Sequence, residues 1–477
     1  MQPPPGSRAA RSIGPTRSIG RTGGIGPPGS IGRTRGIGPT GSIGRTRGIG
    51  RTGGGRRPVG RSEAAEAAVA SEDVQVVDVV VVGAGPAGAA AAIALARAGR
   101  EVTVIERATF PRDKCCGDGL TTGALRQLET LGLDPVVVAS WQPVDDCWVR
   151  SPSGRVVCLP FPDDGLFGAV ARRMDLDAAL VDLARTAGAR VHEGHGFESL
   201  RWSEEGVTVR ADGMGPVAAR YLLAADGMWS PVRKAAGLGE PGYLGEWHAF
   251  RQYLRCPAAA SRRLWVWFER ELLPGYAWSF PLPDGMANVG FGIRRASGQA
   301  TRSMGETWRR LLDLPHVRAT LGDAVPESPH KAWPIPARLT RTALSGLGGR
   351  LLLTGDAARA PDPMTGEGIG QALETGSLAA EAVLAAGPHA PAAAAAHYRR
   401  ALERGMSVDH RLAGALSNVL RSEMGARAAV RMTGASGWGR RNFARWLFED
   451  YPRGLVATPR RWERGGLHGS GAYRARV

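Results

Sequence analysis

The sequence contains few cysteines, few lysines and few aromatic residues. Only three of its 61 basic residues are lysines, so an arginine at any one position is weak evidence for a site. The five cysteines are odd in number, form no CxxC pair and follow no recognisable signal peptide, which argues against a disulfide framework and predicts a reducing compartment. The longest uncharged stretch, residues 79–96, is interrupted by Gly83, Gly85, Pro86 and Gly88, so we predict no transmembrane helix.

The formal net charge of +17 is concentrated at the two ends of the chain. Residues 1–62 carry 12 Arg and no acidic residue, and residues 421–477 carry 12 Arg and four acidic residues. Residues 63–420 carry 37 basic and 40 acidic residues, so the body is close to neutral and no specific nucleic-acid partner is predicted. Hydrophobic residues make up 43% and charged residues 22% of the chain, which excludes a wholly disordered protein.

The first seventy residues are dominated by a hexapeptide repeat. An isoleucine followed by glycine recurs every six residues from Ile13 to Ile49. A six-residue period is formally also that of a left-handed β-helix. One apolar residue per Gly- and Arg-rich repeat cannot bury a core, however, so we predict a disordered tail.

A dinucleotide-binding fingerprint follows the first predicted strand. The β-branched run at residues 76–82 predicts a strand that is buried on both faces, and the next segment, 83–88, reads GAGPAG before an Ala-rich helix. The three glycines permit a tight turn, close approach to a pyrophosphate, and close packing of helix on strand. Glu106 follows the second predicted strand, 102–105, and is expected to bind the adenosine ribose. The residues assigned to this end of the cofactor are Gly83, Gly85, Ala87, Gly88, Glu106 and Arg107.

Three later motifs indicate FAD rather than NAD. A predicted strand at residues 221–225 ends in Asp226 and Gly227, and another at 351–354 ends in the sequence GDAA. Segment 363–369 reads PMTGEGI and opens a predicted helix. No second strand–GxGxxG–helix unit occurs, so NAD(P)H would dock only transiently, or reduced ferredoxin or another electron-donor protein would replace it.

These motifs resemble those of the flavoprotein group of p-hydroxybenzoate hydroxylase. The resemblance implies a Rossmann-like FAD domain joined to a sheet over the flavin, with Asp356 at the ribitol and the backbone of residues 366–368 beside the flavin N1–C2=O edge. Segment 173–177 reads RMDLD and matches the group's Arg-x-x-hydrophobic-Asp helix start, although an ordinary surface arginine would fit this pattern equally well. The residues assigned on this basis are Arg173, Asp226, Gly227, Gly355, Asp356, Gly366, Gly368 and Ile369.

Two further motifs resemble the geranylgeranyl reductase family. Segment 111–120 reads PRDKCCGDGL, which is similar to that family's Lys-x-Cys-Gly-x-Gly-Leu segment and puts Cys116 at its cysteine position. Segment 274–281 reads PGYAWSFP and is similar to the family's Tyr-x-Trp-x-Phe-Pro strand, which lines the prenyl pocket. Arg359 and Pro361 depart from the small residues that are usual after GDAA. The resemblance implies that the substrate is bound by Tyr276, Trp278 and Phe280.

The aromatic segments also have a simpler interpretation. Aromatic residues make up only 6% of the chain, yet they cluster at residues 264–268 and 276–280. Aromatic stripes on strands are usually part of a core. A long apolar substrate would nevertheless need such a wall above a flavin.

Cys116 and Asp118 are the candidate catalytic residues. Cys116 could be a proton donor or shape element beside the substrate alkene, as the resemblance implies, one half of a vicinal pair with Cys115, or an inert buried thiol. Asp118 and Lys114 are alternative polar groups in the same loop. No metal site is predicted, because the HxxH pattern of His192 and its neighbour does not match HExxH.

The expected fold class is α/β, with an antiparallel sheet domain inserted into a Rossmann-like FAD/NAD(P)-binding domain. The predicted regions are the tail at 1–72, a discontinuous FAD-binding domain at 74–142, 170–240 and 345–385, a substrate-binding sheet domain at 143–169 and 241–335, and a C-terminal helical region at 386–477.

The expected activity is FAD-dependent reduction of isoprenoid double bonds by hydride transfer from flavin N5. The substrate would be a prenyl diphosphate, a prenylated lipid or a polyprenyl quinone. An isolated prenyl double bond is not polarised, so protonation must lead or accompany hydride transfer, and the sequence does not identify the acid. The alternative is a flavin-dependent monooxygenase or halogenase acting on an aromatic substrate, since residues 276–281 partly match the halogenase Trp-x-Trp-x-Ile-Pro motif.

The C-terminal region combines aromatic residues with arginines between residues 438 and 473. This combination suits an anionic membrane surface or a diphosphate head group, and it is equally typical of a packed helix with a solvated basic face. The expected partners are therefore a prenyl lipid substrate and, peripherally, an anionic membrane. The expected location is cytoplasmic, with peripheral contact at the inner membrane face.

Overall fold

The structure is a computed structural model that describes residues 74–295, 303–455, 458, 461 and 469–474. The tail predicted at 1–72 lies outside these residues. The strands are, in chain order, β1 (Gln75–Val82), β2 (Val102–Glu106), β3 (Gly119–Thr121), β4 (Gln142–Pro143), β5 (Asp146–Arg150), β6 (Val156–Pro160), β7 (Gly168–Val170), β8 (Arg190–Glu193), β9 (Phe197–Trp202), β10 (Val207–Ala211), β11 (Val217–Ala224), β12 (Trp247–Arg255), β13 (Leu264–Trp267), β14 (Ala277–Pro281), β15 (Met286–Arg294), β16 (Val325–Pro326), β17 (Lys331–Ile335), β18 (Ser345–Gly346) and β19 (Leu351–Leu353).

The helices complete the described elements. They are α1 (Pro86–Arg97), α2 (Thr122–Thr130), α3 (Arg173–Thr186), α4 (Pro231–Ala235), α5 (Met304–Asp313), α6 (Pro315–Leu321), α7 (Ile369–Ala386), α8 (Pro391–Arg404), α9 (Met406–Val419), α10 (Glu423–Thr433) and α11 (Gly437–Leu447). The last four confirm the helical character that was predicted for the C-terminal region. In the part of the chain that the structure describes, no helix has the length and apolar character needed to cross a bilayer.

The first sheet is parallel at its centre and carries the dinucleotide fingerprint. Its strand order is β18-β19-β11-β1-β2-β8, and the hairpin β9–β10 adds to β11. Val82, the last residue of β1, lies opposite Ile105 of β2 and Ala224 of β11. Because these three parallel strands end at one edge, the GAGPAG turn, Glu106 and Asp226 meet there, as ligand sites do in open α/β sheets.

Small side chains let helices pack closely over this sheet. α1 is rich in alanine, begins at Pro86 and is buried along most of its length, and it packs against α7 and α3. The valines of β1 from Val79 to Val82 are buried because both faces of the strand are covered.

The second sheet is antiparallel except for one strand pair. Its order is β16-β12-β15-β14-β13-β5-β6, with β17 also pairing with β12, and only β13 and β5 run parallel. β14 and β15 form a hairpin, joined by a 3₁₀ turn at Pro283–Gly285. All strands of this sheet fall within 143–169 and 241–335, although the domain boundaries themselves stay predictions. A small third sheet, β3-β7-β4, lies beside the Cys116 loop.

Candidate functional site

A cavity of about 790 Å³ extends from the ends of β1, β2 and β11 to the second sheet and the C-terminal helices. All the predicted site residues line this cavity except Gly88, which is buried beneath the turn. The nucleotide, flavin and substrate residues predicted separately from distant motifs therefore share one continuous space.

The glycines of the fingerprint have different surroundings. Gly83 has a φ of 102°, and a Cβ there would lie 2.3 Å from the carbonyl oxygen of Ala225. A Cβ on Gly88 would lie 1.8 Å from the carbonyl oxygen of Gly83, so Gly88 is required for helix packing. A Cβ on Gly85 would meet only the Nη2 atoms of Arg112 and Arg173, at 3.6 and 3.9 Å. Gly85 therefore keeps open a space that two guanidinium groups border.

Arg173 and Arg112 converge on one buried carboxylate. Arg173 donates from Nε and Nη2 to Asp177, both at 2.7 Å, and Nη1 of Arg112 lies 2.9 Å from the same carboxylate. Arg173 is buried, which excludes the surface position that its sequence pattern also allowed. Two cations beside the open turn fit the pyrophosphate of FAD. Arg112 was missed as a cofactor residue because its segment was interpreted only for its likeness to prenyl reductases.

The acidic residues at this edge are held by backbone donors. Glu106 accepts hydrogen bonds from the backbone N–H of Ala84 at 2.8 Å and of Ala108 at 3.0 Å, one on each oxygen, which leaves further lone pairs for ribose hydroxyls. Asp226 accepts from Ser230 Oγ at 2.6 Å and from Val232 N at 2.9 Å, so its carboxylate fixes the start of α4. Burial raises the pKa of Asp226 to about 6.

The loop that was predicted to face the flavin is held by a buried ion-pair network. Asp362 accepts from the backbone N–H groups of Met364 and Thr365, both at 2.8 Å, and forms an ion pair with Arg453. Arg453 also pairs with Glu449 at 3.2 Å. The C-terminal region thus fixes the loop whose backbone was predicted to face the flavin.

Asp356 and the glycines around it complete this end of the cavity. Lys114 Nζ lies 3.0 Å from Asp356 Oδ2. Gly355 and Gly366 have φ values of 54° and 72°, conformations that glycine adopts without strain. Gly227, Gly368 and Ile369 also line the cavity. We call this part of the cavity the FAD cradle. The open turn at Gly85, the guanidinium groups of Arg112 and Arg173, and the carboxylate of Glu106 fit the pyrophosphate and ribose of FAD.

Asp118 is the centre of a buried hydrogen-bond network between the Cys116 loop and the second sheet. It is fully buried, and its carboxylate accepts from Tyr253 Oη at 2.6 Å, Asn288 Nδ2 at 2.7 Å and Arg173 N at 3.3 Å. Burial raises the pKa of Asp118 to about 6, while the hydrogen bond from Tyr253 opposes this rise. At neutral pH the group is therefore an anion that accepts three hydrogen bonds, which suits a structural role better than proton donation.

Asn288 connects the loop to the aromatic wall. Its Nδ2 also donates to the carbonyl oxygen of Cys116 at 2.8 Å, and its Oδ1 accepts from Trp278 Nε1 at 3.1 Å. Burial raises the pKa of the Cys116 thiol to about 11, so the thiol is neutral. All five cysteines are free, including the vicinal residues Cys115 and Cys116.

The cavity continues as an apolar limb beyond the aromatic wall. Tyr276, Trp278 and Phe280 lie on its floor, and the Tyr276 hydroxyl donates to the carbonyl oxygen of Thr365. Other apolar lining residues come from β5, β13 and the C-terminal helices and include Val149, Leu264, Val266, Leu416, Val430, Phe443 and Trp446. Such a space fits a long hydrocarbon chain. Among the described residues, no group of three or more His, Cys, Asp or Glu side chains could hold a metal ion.

Comparison with known proteins identifies a family and similar sequences. The family model described as FAD binding domain matches residues 76–386. Menaquinone reductase of Mycolicibacterium smegmatis is 34% identical over 376 residues, which cover 70% of this chain and 83% of that protein. Digeranylgeranylglycerophospholipid reductase 1 of Methanopyrus kandleri is 34% identical over 334 residues, which cover 65% of this chain and 80% of that protein.

A solved structure shares the fold. The crystal structure of a geranylgeranyl bacteriochlorophyll reductase-like protein from Thermoplasma acidophilum has a TM-score of 0.67 to this chain at 23% identity. The match covers 82% of this chain and all of the other. At this identity the likeness establishes the fold, and it confirms the predicted α/β architecture.

Proposed function

The chain belongs to the FAD binding domain family, and we propose on that basis that it uses FAD to reduce carbon–carbon double bonds of isoprenoid chains. The observation that carries this proposal is the continuity of the cavity, which joins the FAD cradle to an aromatic wall and an apolar limb. The two relatives above are reductases whose named substrates both carry isoprenoid chains. A monooxygenase or halogenase on the same scaffold is less favoured, because neither relative is named for such chemistry.

The residues of this chain would bind and orient the substrate. When bound, FAD supplies the hydride. Tyr276, Trp278 and Phe280 would hold the prenyl chain, and the Cys116 loop would close the space between the chain and the cofactor. The apolar lining excludes water from this part of the cavity. We further propose that the electrons come from NAD(P)H or from a reduced carrier protein such as ferredoxin, since the sequence has only one dinucleotide fingerprint.

Replacement of Trp278 tests the proposed substrate wall. Trp278 is buried, and its ring packs between Tyr276 and Phe280. We expect Trp278→Ala to raise the KM for a prenyl substrate about 10- to 100-fold, because a large apolar contact is lost, while FAD content stays at one per chain. Trp278→Phe keeps the apolar wall but removes the hydrogen bond to Asn288, so it should retain most of the affinity. Loss of FAD with unchanged substrate affinity in Trp278→Ala would contradict the assignment.

The outward face of α10 supports a second proposal, peripheral contact with an anionic membrane. Met424, Arg427, Ala428, Arg431 and Met432 are all exposed and recur at helical spacing, so they form one stripe. The two methionine side chains are 79% and 74% exposed. A stripe of apolar and basic residues is typical of helices that lie on anionic lipid surfaces.

The cavity opens beside this stripe. Val419, at the end of α9, is 54% exposed and also lines the apolar limb, so it lies at the mouth. Trp438, at the start of α11, is likewise exposed. A membrane in contact with the stripe would therefore present lipid chains next to the entrance of the limb.

Vesicle binding tests this surface. We expect the protein to sediment with phosphatidylglycerol vesicles, and we expect binding to weaken about 30-fold in Arg427→Gln/Arg431→Gln, since each arginine contributes about 1 kcal/mol. Met424→Ser/Met432→Ser should also lose binding. Val136→Ser/Val137→Ser is the matched control, because these valines are 88% and 63% exposed on another part of the chain. Equal loss in the control, or no binding by the native chain, would contradict the proposed membrane contact.

A further inference from the structure

Glu367 is an acidic residue of the cavity that the sequence motifs did not single out. It lies in the loop before α7 and lines the cavity together with Cys116 and Tyr276. Its charge acts on both neighbours: burial is the main cause that raises the pKa of each, and Glu367 adds to the rise. Glu367 therefore lines the same cavity as the Cys116 loop and the aromatic wall.

The two carboxyl oxygens of Glu367 have different surroundings. Oε1 accepts from the backbone N–H groups of Ile369 and Gly370, both at 2.9 Å. Oε2 accepts no hydrogen bond from residues 74–295 and 303–455. A neutral carboxyl at this position would carry its proton on Oε2, because Oε1 is engaged as an acceptor.

The surroundings of Glu367 disfavour its ionised form, chiefly through burial. Burial is the main cause that raises the pKa of Glu367 to about 7, and the nearby Glu449 carboxylate raises it further. Arg453 opposes this rise, but its guanidinium is already paired with Asp362 and Glu449. The two backbone donors also oppose it. The neutral acid is thus well populated near pH 7.

The other acids that line the cavity are engaged by donors or cations. Glu106 and Asp226 accept hydrogen bonds on both oxygens, Asp118 accepts three, Asp113 pairs with Arg251 and Lys331, and Asp356 pairs with Lys114. The thiol of Cys116 would have to leave a buried thiolate behind. Glu367 alone among these carboxyls has both an oxygen that accepts no hydrogen bond and no ion pair of its own.

We propose that Glu367 is the general acid that protonates the substrate double bond, an inference that rests on the proposed function. The O–H bond at Oε2 breaks, and the π electrons of the alkene form a new C–H bond with that proton. The other alkene carbon receives the hydride from the reduced cofactor, whose electrons come from NAD(P)H or a reduced carrier. The carboxylate of Glu367 is then protonated by water before the next turnover, so the net change is addition of two hydrogens.

Glu367→Gln tests this role with little change in shape. The amide oxygen can still accept from Ile369 and Gly370, so the affinity for FAD should stay within about 2-fold of the native value. Turnover should fall about 100- to 10,000-fold, which is the usual contribution of a general acid. Native turnover should decline as pH rises through about 7, because the neutral carboxyl is lost, and the residual turnover of Glu367→Gln should lack this decline.

Glu374→Gln is the matched control. Glu374 lies on α7, and burial raises its pKa to about 7 as well, but it does not line the cavity. The control should keep native turnover and pH dependence. Infrared difference spectra between pH 6 and pH 8 should lose one carboxyl signal in each variant. These spectra follow the titration of Glu367 and of Glu374 without any turnover.

Two outcomes distinguish the inference from the proposed function. If the native enzyme reduces a prenyl substrate and Glu367→Gln does so equally fast, Glu367 is not the acid and the proposed function stands. If the native enzyme reduces no prenyl substrate at all, the proposed function itself fails. A loss of turnover that follows a loss of FAD in Glu367→Gln would assign the residue to cofactor binding instead.

Discussion

Gly85→Val is expected to abolish FAD binding while the folded apoprotein stays intact, and Gly88→Ala is expected to damage the fold itself. The two glycines belong to one GAGPAG motif and lie three residues apart. Because their surroundings differ, substitutions at the two glycines can show which one is needed for FAD binding and which one is needed for helix packing.

The reason lies in what a new side chain would meet. Gly85 has a φ of −68°, which valine adopts readily, and the atoms nearest to a Cβ there are the flexible ends of Arg112 and Arg173. A side chain would instead fill the space reserved for the pyrophosphate. At Gly88 a Cβ would lie 1.8 Å from a backbone oxygen of Gly83, so the turn and the helix must separate. Overpacking of this kind typically costs about 1–3 kcal/mol or more.

Flavin absorbance and thermal unfolding measure the two effects separately. The native protein should be yellow and hold FAD without a covalent bond. Gly85→Val should be colourless, should not take up FAD on reconstitution, and should unfold near the temperature of the native apoprotein. Gly88→Ala should unfold at a clearly lower temperature. A yellow Gly85→Val protein that binds FAD with native affinity would show that the pyrophosphate does not bind at this turn.

The strand–turn–helix units were predictable because their signals are local. Within 25 residues the chain has the valine run of β1, the glycines after it and the alanines of α1. Each of these patterns predicts the burial or the backbone conformation of its own segment. The aromatic strand was also predicted, but β14 begins at Ala277, one residue later than expected. Strand ends are decided by pairing with neighbours, which the sequence does not display.

The partners of the site residues could not be predicted. Asn288 contacts Asp118 across 170 positions of the chain, and Tyr253 does so across 135. Neither residue belongs to a motif, and an amide or a phenol on a strand has no distinctive pattern. Glu367 was inside a motif, but the motif drew attention to its flanking glycines, and only the three-dimensional arrangement shows its free oxygen.

The arginines of the C-terminal region differ in their surroundings. Arg445 and Arg453 are buried and paired with Asp450 and Asp362, so they belong to the packed interior. Arg431 is exposed on the outer stripe of α10. Amino-acid composition cannot distinguish a buried, paired arginine from an exposed one, because the difference depends on whether a buried carboxylate lies beside the arginine in the fold.

The reaction itself is expected to be addition of hydrogen and not of oxygen. In the proposed function, the apolar limb binds a prenyl chain beside the cofactor, and Glu367, as inferred above, donates a proton to it. Hydride and proton together add two hydrogens to each double bond, whereas an oxygenase would add an oxygen atom. The two outcomes differ in the mass of the product and in their need for oxygen.

The most direct measurement is mass spectrometry after anaerobic incubation of the reduced, FAD-loaded enzyme with geranylgeranyl diphosphate, with a polyprenyl quinone in detergent as a second substrate. The expected result is a product heavier by about 2 Da for each double bond reduced, formed without oxygen, because one hydride and one proton are added. A product heavier by about 16 Da that forms only when oxygen is admitted, or no conversion of either prenyl substrate by enzyme that holds FAD, would contradict the proposed function.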